Sequence, residues 1–434
     1  MRTFNRLLLL GFSLVCLSGQ AQPLVLLPDA PYFEPYKAHL APQPGPLLLN
    51  EGDRLAICGD SITEQKMYSR IMETYLTVCV PQLRVTVRQF GWSGERAPGF
   101  LSRMTNDVIR FRPTIATTCY GMNDHRYRPF TEEIGREYEE SSRAIIQAFK
   151  AHGVQVVQGS AGTVGKMPSW VRSADGTVED LNLGLLALRN IDIRLAREEH
   201  VAFADIYLPM LVQGHAAQQQ YGTDYMITGK DGVHPGWAGQ VVMAYAFLKA
   251  FGLDGDLGGV IMDLDSGATS TSGLHDVERA GKGEVTLVSR QYPFCAEGAL
   301  GDDSSMRSGM EWVPFFQDLN RFTLKLSHAD ASKYRVVWGD FEKVFTAEQL
   351  LAGVNLAEAF AVNPFSNAFQ KVDGAVAAKQ AYETRQIKQI FHGPEGKQEP
   401  ELAAVLTEKV RAPLAEEIRK SFQPVTHTIR VVSE

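Results

Sequence analysis

Ser61 stands in the run Cys58-Gly-Asp-Ser-Ile-Thr-Glu64, directly after the apolar stretch Leu55-Ala-Ile-Cys58. A serine hydroxyl is a weak nucleophile until a base takes its proton, a third group orients that base, and donors await the developing oxyanion. Asp231 and His234 lie three residues apart in Lys230-Asp-Gly-Val-His-Pro235. At that spacing the carboxylate reaches Nδ1 of the imidazole and leaves Nε2 for the serine. Gly94, in Phe90-Gly-Trp-Ser-Gly-Glu95, and Asn123, in Tyr120-Gly-Met-Asn-Asp124, can supply a backbone N–H and a side-chain amide to an oxyanion. The chemistry these five residues share is acyl transfer.

Each also has a plainer reading. Ser61 can cap a helix, with Glu64 three residues on completing a capping box. Gly94 and Asn123 are ordinary turn residues, Asp231 is ordinary loop polarity, and a histidine before Pro235 can be a satisfied loop side chain. These readings would have to coincide five times, whereas acyl transfer uses all five residues at once.

The residues can converge only if the chain brings them to one edge. Strand-like runs at Arg54–Cys58, Leu83–Phe90, Thr114–Tyr120, Val154–Val157 and Val201–Ile206 alternate with helix-period segments. Those segments run through Val80, around Phe100–Arg110, and over Thr131–Ala151, Leu181–Glu199 and Trp237–Phe251. The alternation predicts an α/β fold, a parallel sheet with helices on both faces. Such sheets place ligand chemistry at the carboxyl ends of their strands, where Ser61, Gly94 and Asn123 fall.

Gly59-Asp-Ser61-Ile, Ser93-Gly94-Glu95, Gly121-Met-Asn123-Asp124 and Asp231-Gly-Val-His234-Pro resemble, in order, the sequence blocks of the GDSL or SGNH hydrolases. The resemblance covers about residues 51–254, with Ile62 where the family commonly has leucine. It implies a flavodoxin-like three-layer α/β/α sandwich and ester hydrolysis without metal or organic cofactor. It also implies the roles: Ser61 as nucleophile, His234 as base, Asp231 as its partner. The oxyanion hole would come from the N–H groups of Ser61 and Gly94 and the Asn123 side chain. No Gly-x-Ser-x-Gly is present, so the elbow of the ordinary α/β-hydrolases is not expected.

The family includes lipases, lysophospholipases, thioesterases and carbohydrate O-acetylesterases. Trp92, Tyr120, His125, Arg126, Tyr127 and Arg128 lie beside the site blocks, and aromatic and guanidinium groups suit a sugar surface, as they suit other polar substrates. The expectation is a secreted serine esterase that removes acetyl groups from a polysaccharide or oligosaccharide, ahead of general short-chain ester or lysophospholipid hydrolysis. The rival of another class is an inactive glycan-binding protein, against which the intact Ser61, Asp231 and His234 set argues.

The 434 residues, 44% apolar and 21% charged, suffice for more than one domain. A net charge of −7 with no Lys/Arg cluster argues against nucleic acid as a partner. Arg2 and Arg6, the apolar run Leu7–Leu17 and the small residues before Ala21 predict a secretory signal over residues 1–21, and hence export. No later segment reaches the roughly 18 apolar residues of a membrane span. Residues 22–50 hold seven prolines and predict an extended arm. Cys58, Cys79, Cys119 and Cys295 allow three pairings, but Cys58 and Cys119 sit in strand-like runs and read as small packing groups. No CxxC or His/Cys spacing points to a metal.

Beyond the hydrolase-like part, residues 255–345 predict a small β-rich unit and residues 346–434 a helical region, with the segment Glu401–Ser421 interrupted at Pro413. His275, His328, His392 and His427 fall in no triad or ligand spacing, so this part is predicted to be a structural accessory.

Overall fold

Leu55 and Ile57 of the first strand bury toward one layer of helices, Ala56 and Cys58 toward the other, and that alternation sets the architecture. The computed structural model describes residues 26–434, so the predicted signal segment lies outside the described residues. Five parallel strands form the central sheet: β1 (Arg54–Gly59), β2 (Thr86–Gln89), β3 (Ile115–Cys119), β4 (Gln155–Gly159) and β5 (Ala202–Ala204), in the order β2-β1-β3-β4-β5. All five residues of β3 are buried, as expected of a strand covered on both faces.

The helices of this part are α1 (Ser61–Glu64), α2 (Tyr68–Val78), α3 (Ala97–Asp107), α4 (Glu132–Ala151), α5 (Val178–Glu198), α6 (Tyr207–Tyr221) and α7 (Trp237–Ala250). α2 and α7 pack with Leu55, Ile57 and Val157, while α3 and α4 pack with Ala56, Cys58 and Ala116. This is the SGNH hydrolase fold, with its topological switch point between β1 and β3. Clefts in such sheets open there.

Two corrections to the sequence reading follow. The helix expected to run through Val80 is broken after one turn, because Lys66 adopts φ +59. α6 was not expected at all; its apolar Leu208, Met210 and Leu211 crowd the first turn, ahead of the polar Gln213–Gln220 stretch.

Among the described residues, nine more strands build two further sheets. β6 (Asp256–Asp263), β7 (Thr269–Ser272), β10 (Arg321–Ser327) and β13 (Val354–Asn355) form one, in the order β13-β10-β6-β7. β8 (His275–Gly281), β9 (Glu284–Ser289), β11 (Lys333–Trp338), β12 (Phe341–Thr346) and β14 (Val425–Ser433) form the other, in the order β12-β11-β14-β9-β8. Between them in sequence lie α8 (Met306–Gly309), α9 (Phe315–Asp318), α10 (Ala347–Ala352), α11 (Leu356–Ala359), α12 (Ser366–Arg385), α13 (Pro394–Gln398) and α14 (Pro400–Ser421). β14, almost the last residues of the chain, enters the middle of its sheet, so hydrogen bonding does not follow the expected division at residue 345. Nor does Pro413 end α14: it removes one donor, but Arg411, two residues earlier, is anchored by Glu383 at 2.7 Å.

The C-terminal part is fused to the catalytic part. β2 is an edge strand, and an open edge must be covered or paired. Glu383 of α12 accepts the Gln89 N–H at 3.2 Å, and Val87 O accepts from Lys379 and, at 3.1 Å, from Arg411. These charges are buried but matched, with Lys379 Nζ 2.7 Å from Glu73 and 3.0 Å from Glu383. The expected N-terminal arm runs along α5, where His39 and Leu40 carbonyls accept from Arg189 and Arg197. All four described cysteines are buried and free.

Two of the scattered histidines form one buried network. Trp338 Nε1 donates to His427 Nδ1 at 3.0 Å, so His427 carries its proton on Nε2 and donates to Ser289 Oγ at 2.9 Å. Ser289 donates to His275 Nδ1 at 2.7 Å, and His275 Nε2 donates to Leu257 O at 2.8 Å. Every polar atom is satisfied with both imidazoles neutral, and burial, followed by the neighbouring His275, holds the pKa of His427 down at about 3.

Candidate active site

The turn after β1 presents Ser61 as the first residue of α1. Its Oγ lies 2.8 Å from His234 Nε2, and His234 Nδ1 lies 2.7 Å from Asp231 Oδ2. The other Asp231 oxygen accepts the N–H groups of Val233 and His234 at 2.9 and 2.8 Å, so one short turn carries both the imidazole and the carboxylate that holds it. Gly232 permits that turn: it sits at φ +83, and a Cβ there would come within 2.6 Å of the Lys166 backbone. Burial works to raise the Asp231 pKa, but the backbone donors and His234 outweigh it and hold the carboxyl below its usual range. Asp231 is therefore ionised, which fixes the proton of a neutral His234 on Nδ1 and leaves Nε2 free to accept from Ser61.

Ser61 does not cap its helix. Asp60, one residue earlier, does so by accepting the Ile62 N–H at 2.9 Å. Glu64 forms no capping box either; it accepts from Ser93 N–H and from Lys388. With capping assigned to Asp60, the Ser61 hydroxyl is left to His234.

Across the β1/β3 switch point lie the two other groups. Gly94 adopts φ +74, and a Cβ built there would meet nothing within 4 Å, so backbone conformation, not space, calls for glycine. Among the described residues, neither Ser61 N–H nor Gly94 N–H has a hydrogen-bond acceptor. Asn123 Nδ2 donates to Glu95 O at 3.1 Å and, over a longer 3.3 Å, to Asp60 Oδ2, while its Oδ1 accepts from Tyr127 OH at 3.2 Å. Tyr127 thereby fixes which way the amide faces.

Asp124 ties this loop to α3, accepting from Ala97 N–H at 2.8 Å and Gly121 N–H at 2.9 Å. Burial raises its pKa to about 6 despite those donors. Burial likewise pushes Asp60 up to about 7, with the Ile62 N–H pulling the other way.

The aromatic and cationic residues expected to face a sugar are mostly elsewhere. Tyr120 is buried and donates to Glu95 at 3.0 Å. His125 is buried with both ring nitrogens unpartnered, and burial lowers its pKa to about 4, so it is a neutral packing group. Arg126 pairs with Glu133 and Glu137. Tyr127 is buried behind Asn123, and Trp92 is half-buried. An exposed aromatic, Trp170, 46% accessible, lies 5.7 Å from the His234 ring on the loop after β4. Sequence reasoning missed it, although a tryptophan in the polar stretch Pro168-Ser-Trp-Val-Arg172 beyond a strand's carboxyl end was a readable signal.

Ser61, His234 and Asp231 thus form one hydrogen-bonded chain beside the carboxyl ends of a parallel α/β sheet. The profile of the GDSL-like Lipase/Acylhydrolase family matches residues 57–242. The protein is an ester-bond hydrolase. No curated protein matches the sequence. Among solved structures, a gut microbial diltiazem-metabolizing enzyme is similar over 89% of this chain and 98% of its own, at TM-score 0.70 and 19% identity. That likeness shows that nearly the whole fold, C-terminal part included, is shared. Axe2, an acetylxylan esterase from Geobacillus stearothermophilus, aligns over 47% of this chain and 96% of its own, at TM-score 0.39 and 21% identity.

Proposed function

We propose that the protein is an exported serine esterase that removes O-acetyl groups from carbohydrate, with Ser61, His234 and Asp231 as its catalytic residues. The observation that carries the catalytic part is the continuous hydrogen-bonded relay Ser61–His234–Asp231, beside which the Ser61 and Gly94 N–H groups make no hydrogen bond among the described residues. In the first half-reaction His234 Nε2 takes the Ser61 proton as Oγ attacks the ester carbonyl. Ser61 N–H, Gly94 N–H and Asn123 Nδ2 hold the oxyanion, and Nδ2 exchanges its long contact with Asp60 for it. The tetrahedral intermediate collapses, the C–O bond to the alcohol breaks, and His234 returns the proton to the leaving alkoxide. Water then attacks the acyl-serine by the same route, and the acid leaves.

The carbohydrate part rests on exposed Trp170 beside His234, a flat apolar face of the kind that stacks on sugar rings. Export rests on the charged, apolar and small-residue order of residues 1–21. The test is a panel of acetylated xylo-oligosaccharides, acetylated xylan and pectin, nitrophenyl esters of increasing chain length and a lysophospholipid. The highest kcat/KM should fall on an acetylated saccharide. Preference for the lysophospholipid or for long acyl chains would overturn the substrate assignment, and glycan binding without turnover would favour the inactive rival.

A further inference from the structure

Gly94 is an exposed loop glycine with no side chain to pack, so whatever holds its peptide must come from neighbours. One neighbour lies far along the chain. A single π-helical turn, Gln386–Phe391, follows α12, and such turns recur at functional sites. From it Lys388 Nζ sits 2.8 Å from both carboxylate oxygens of Glu64, and Glu64 in turn accepts the N–H of Ser93, the residue before Gly94.

The same turn holds Trp92. Lys388 Nζ lies 5.3 Å from the centre of that ring, and His392 packs against it at 4.7 Å with its Nε2 2.8 Å from Asp107. From the catalytic side Arg103 donates to Phe90 O at 2.8 Å and to both Glu95 oxygens at 2.6 Å. Glu64 closes the same turn of helix that Ser61 begins, so one lysine reaches both the nucleophile's helix and the Gly94 loop.

A partly exposed ion pair adds little to folding stability. Its placement here therefore matters more for geometry than for folding.

We propose that the C-terminal part completes the hydrolase site, with Lys388 as a positioning residue that acts through Glu64 on the Ser93–Gly94 peptide. The proposal rests on Gly94 N–H being an oxyanion donor. A displaced donor weakens binding of the transition state while leaving the ground-state complex nearly as it was.

The test measures kcat, KM and melting temperature of the full-length protein on nitrophenyl acetate. Lys388→Met should lower kcat roughly 10- to 100-fold, with KM within about twofold and melting within about 2 °C of wild type. Lys388→Arg should recover most of the rate. Glu64→Gln should act alike, and the double variant should be little worse than either single one. As a comparison, Asp373→Asn breaks the Arg70–Asp373 pair between α2 and α12, and should lower melting while keeping kcat.

Wild-type kcat in Lys388→Met, a loss confined to KM, or a loss that tracks melting and is not recovered by arginine would each overturn the proposal. Failure of the underlying reading is separable: it would show as retained turnover in Ser61→Ala, whatever Lys388 does.

Discussion

Replacing Asn123 by alanine removes the one side-chain donor proposed for the oxyanion. In the resting structure one amide hydrogen is held by Glu95 O at 3.1 Å, and the other makes only the 3.3 Å contact to Asp60. Giving up that long contact costs little, so the gain on meeting an oxyanion is realised almost wholly in the transition state. Loss of a single oxyanion donor typically lowers kcat by about 10²–10³-fold, or about 2.7–4 kcal/mol. KM should stay within about twofold. The truncation also leaves the buried Tyr127 hydroxyl without its acceptor, a stability cost of about 1–3 kcal/mol. Spectrophotometric kinetics on nitrophenyl acetate, paired with thermal melting, separate the two effects. Tyr127→Phe is the control: the amide survives but loses the hydroxyl that orients it, so kcat should drop only several-fold. An Asn123→Ala protein with raised KM and unchanged kcat would refute the reasoning and make Asn123 a substrate-binding group.

Two further outcomes are expected. Asp231→Asn should reduce kcat less than His234→Ala does, and the double variant should be no slower than His234→Ala, because the pair acts as a unit; additive losses measured on the same ester would contradict this. Folding stability should fall on acidification through His427: its folded pKa of about 3 lies below the roughly 6.5 of an unfolded histidine, so the unfolded chain takes up the proton first. The stability from that group is complete above about pH 6.5 and is lost by about 1.4 kcal/mol per pH unit as pH falls toward 3. Melting from pH 7.5 to 4.5 should slope less steeply in His427→Gln than in wild type. Asp60 and Asp124, whose raised pKa values act in the opposite sense, are common to both proteins, so parallel slopes would remove His427 from the account.

The central strands were legible because a strand covered on both faces must be nearly continuously apolar, the edge strand β2 because it alternates, and each run ends at a glycine or polar turn. The candidate site was legible for a related reason: Asp231 and His234 share one turn, and Ser61, Gly94 and Asn123 each follow a strand. What escaped were features set by distant neighbours. Ser61 reads as a cap until Asp60 is seen to take that role. Tyr120, His125 and Tyr127 read as surface groups because their burial comes from α3, α4 and the Asn123 loop, not from their own segment. β14 lies in the part expected to be helical and was missed as a strand, and nothing local says that it closes a sheet begun about 150 residues earlier by β8 and β9. Lys388 lies 324 residues from Glu64, and no local spacing relates them.

The central claim is that Ser61 forms the acyl-enzyme. Treatment with a fluorophosphonate, followed by peptide mass spectrometry and residual-activity measurement, tests it directly. The account predicts one adduct, on Ser61, formed in step with loss of esterase activity and absent from a folded, inactive Ser61→Ala protein. An adduct on another residue, or wild-type turnover by folded Ser61→Ala, would contradict it.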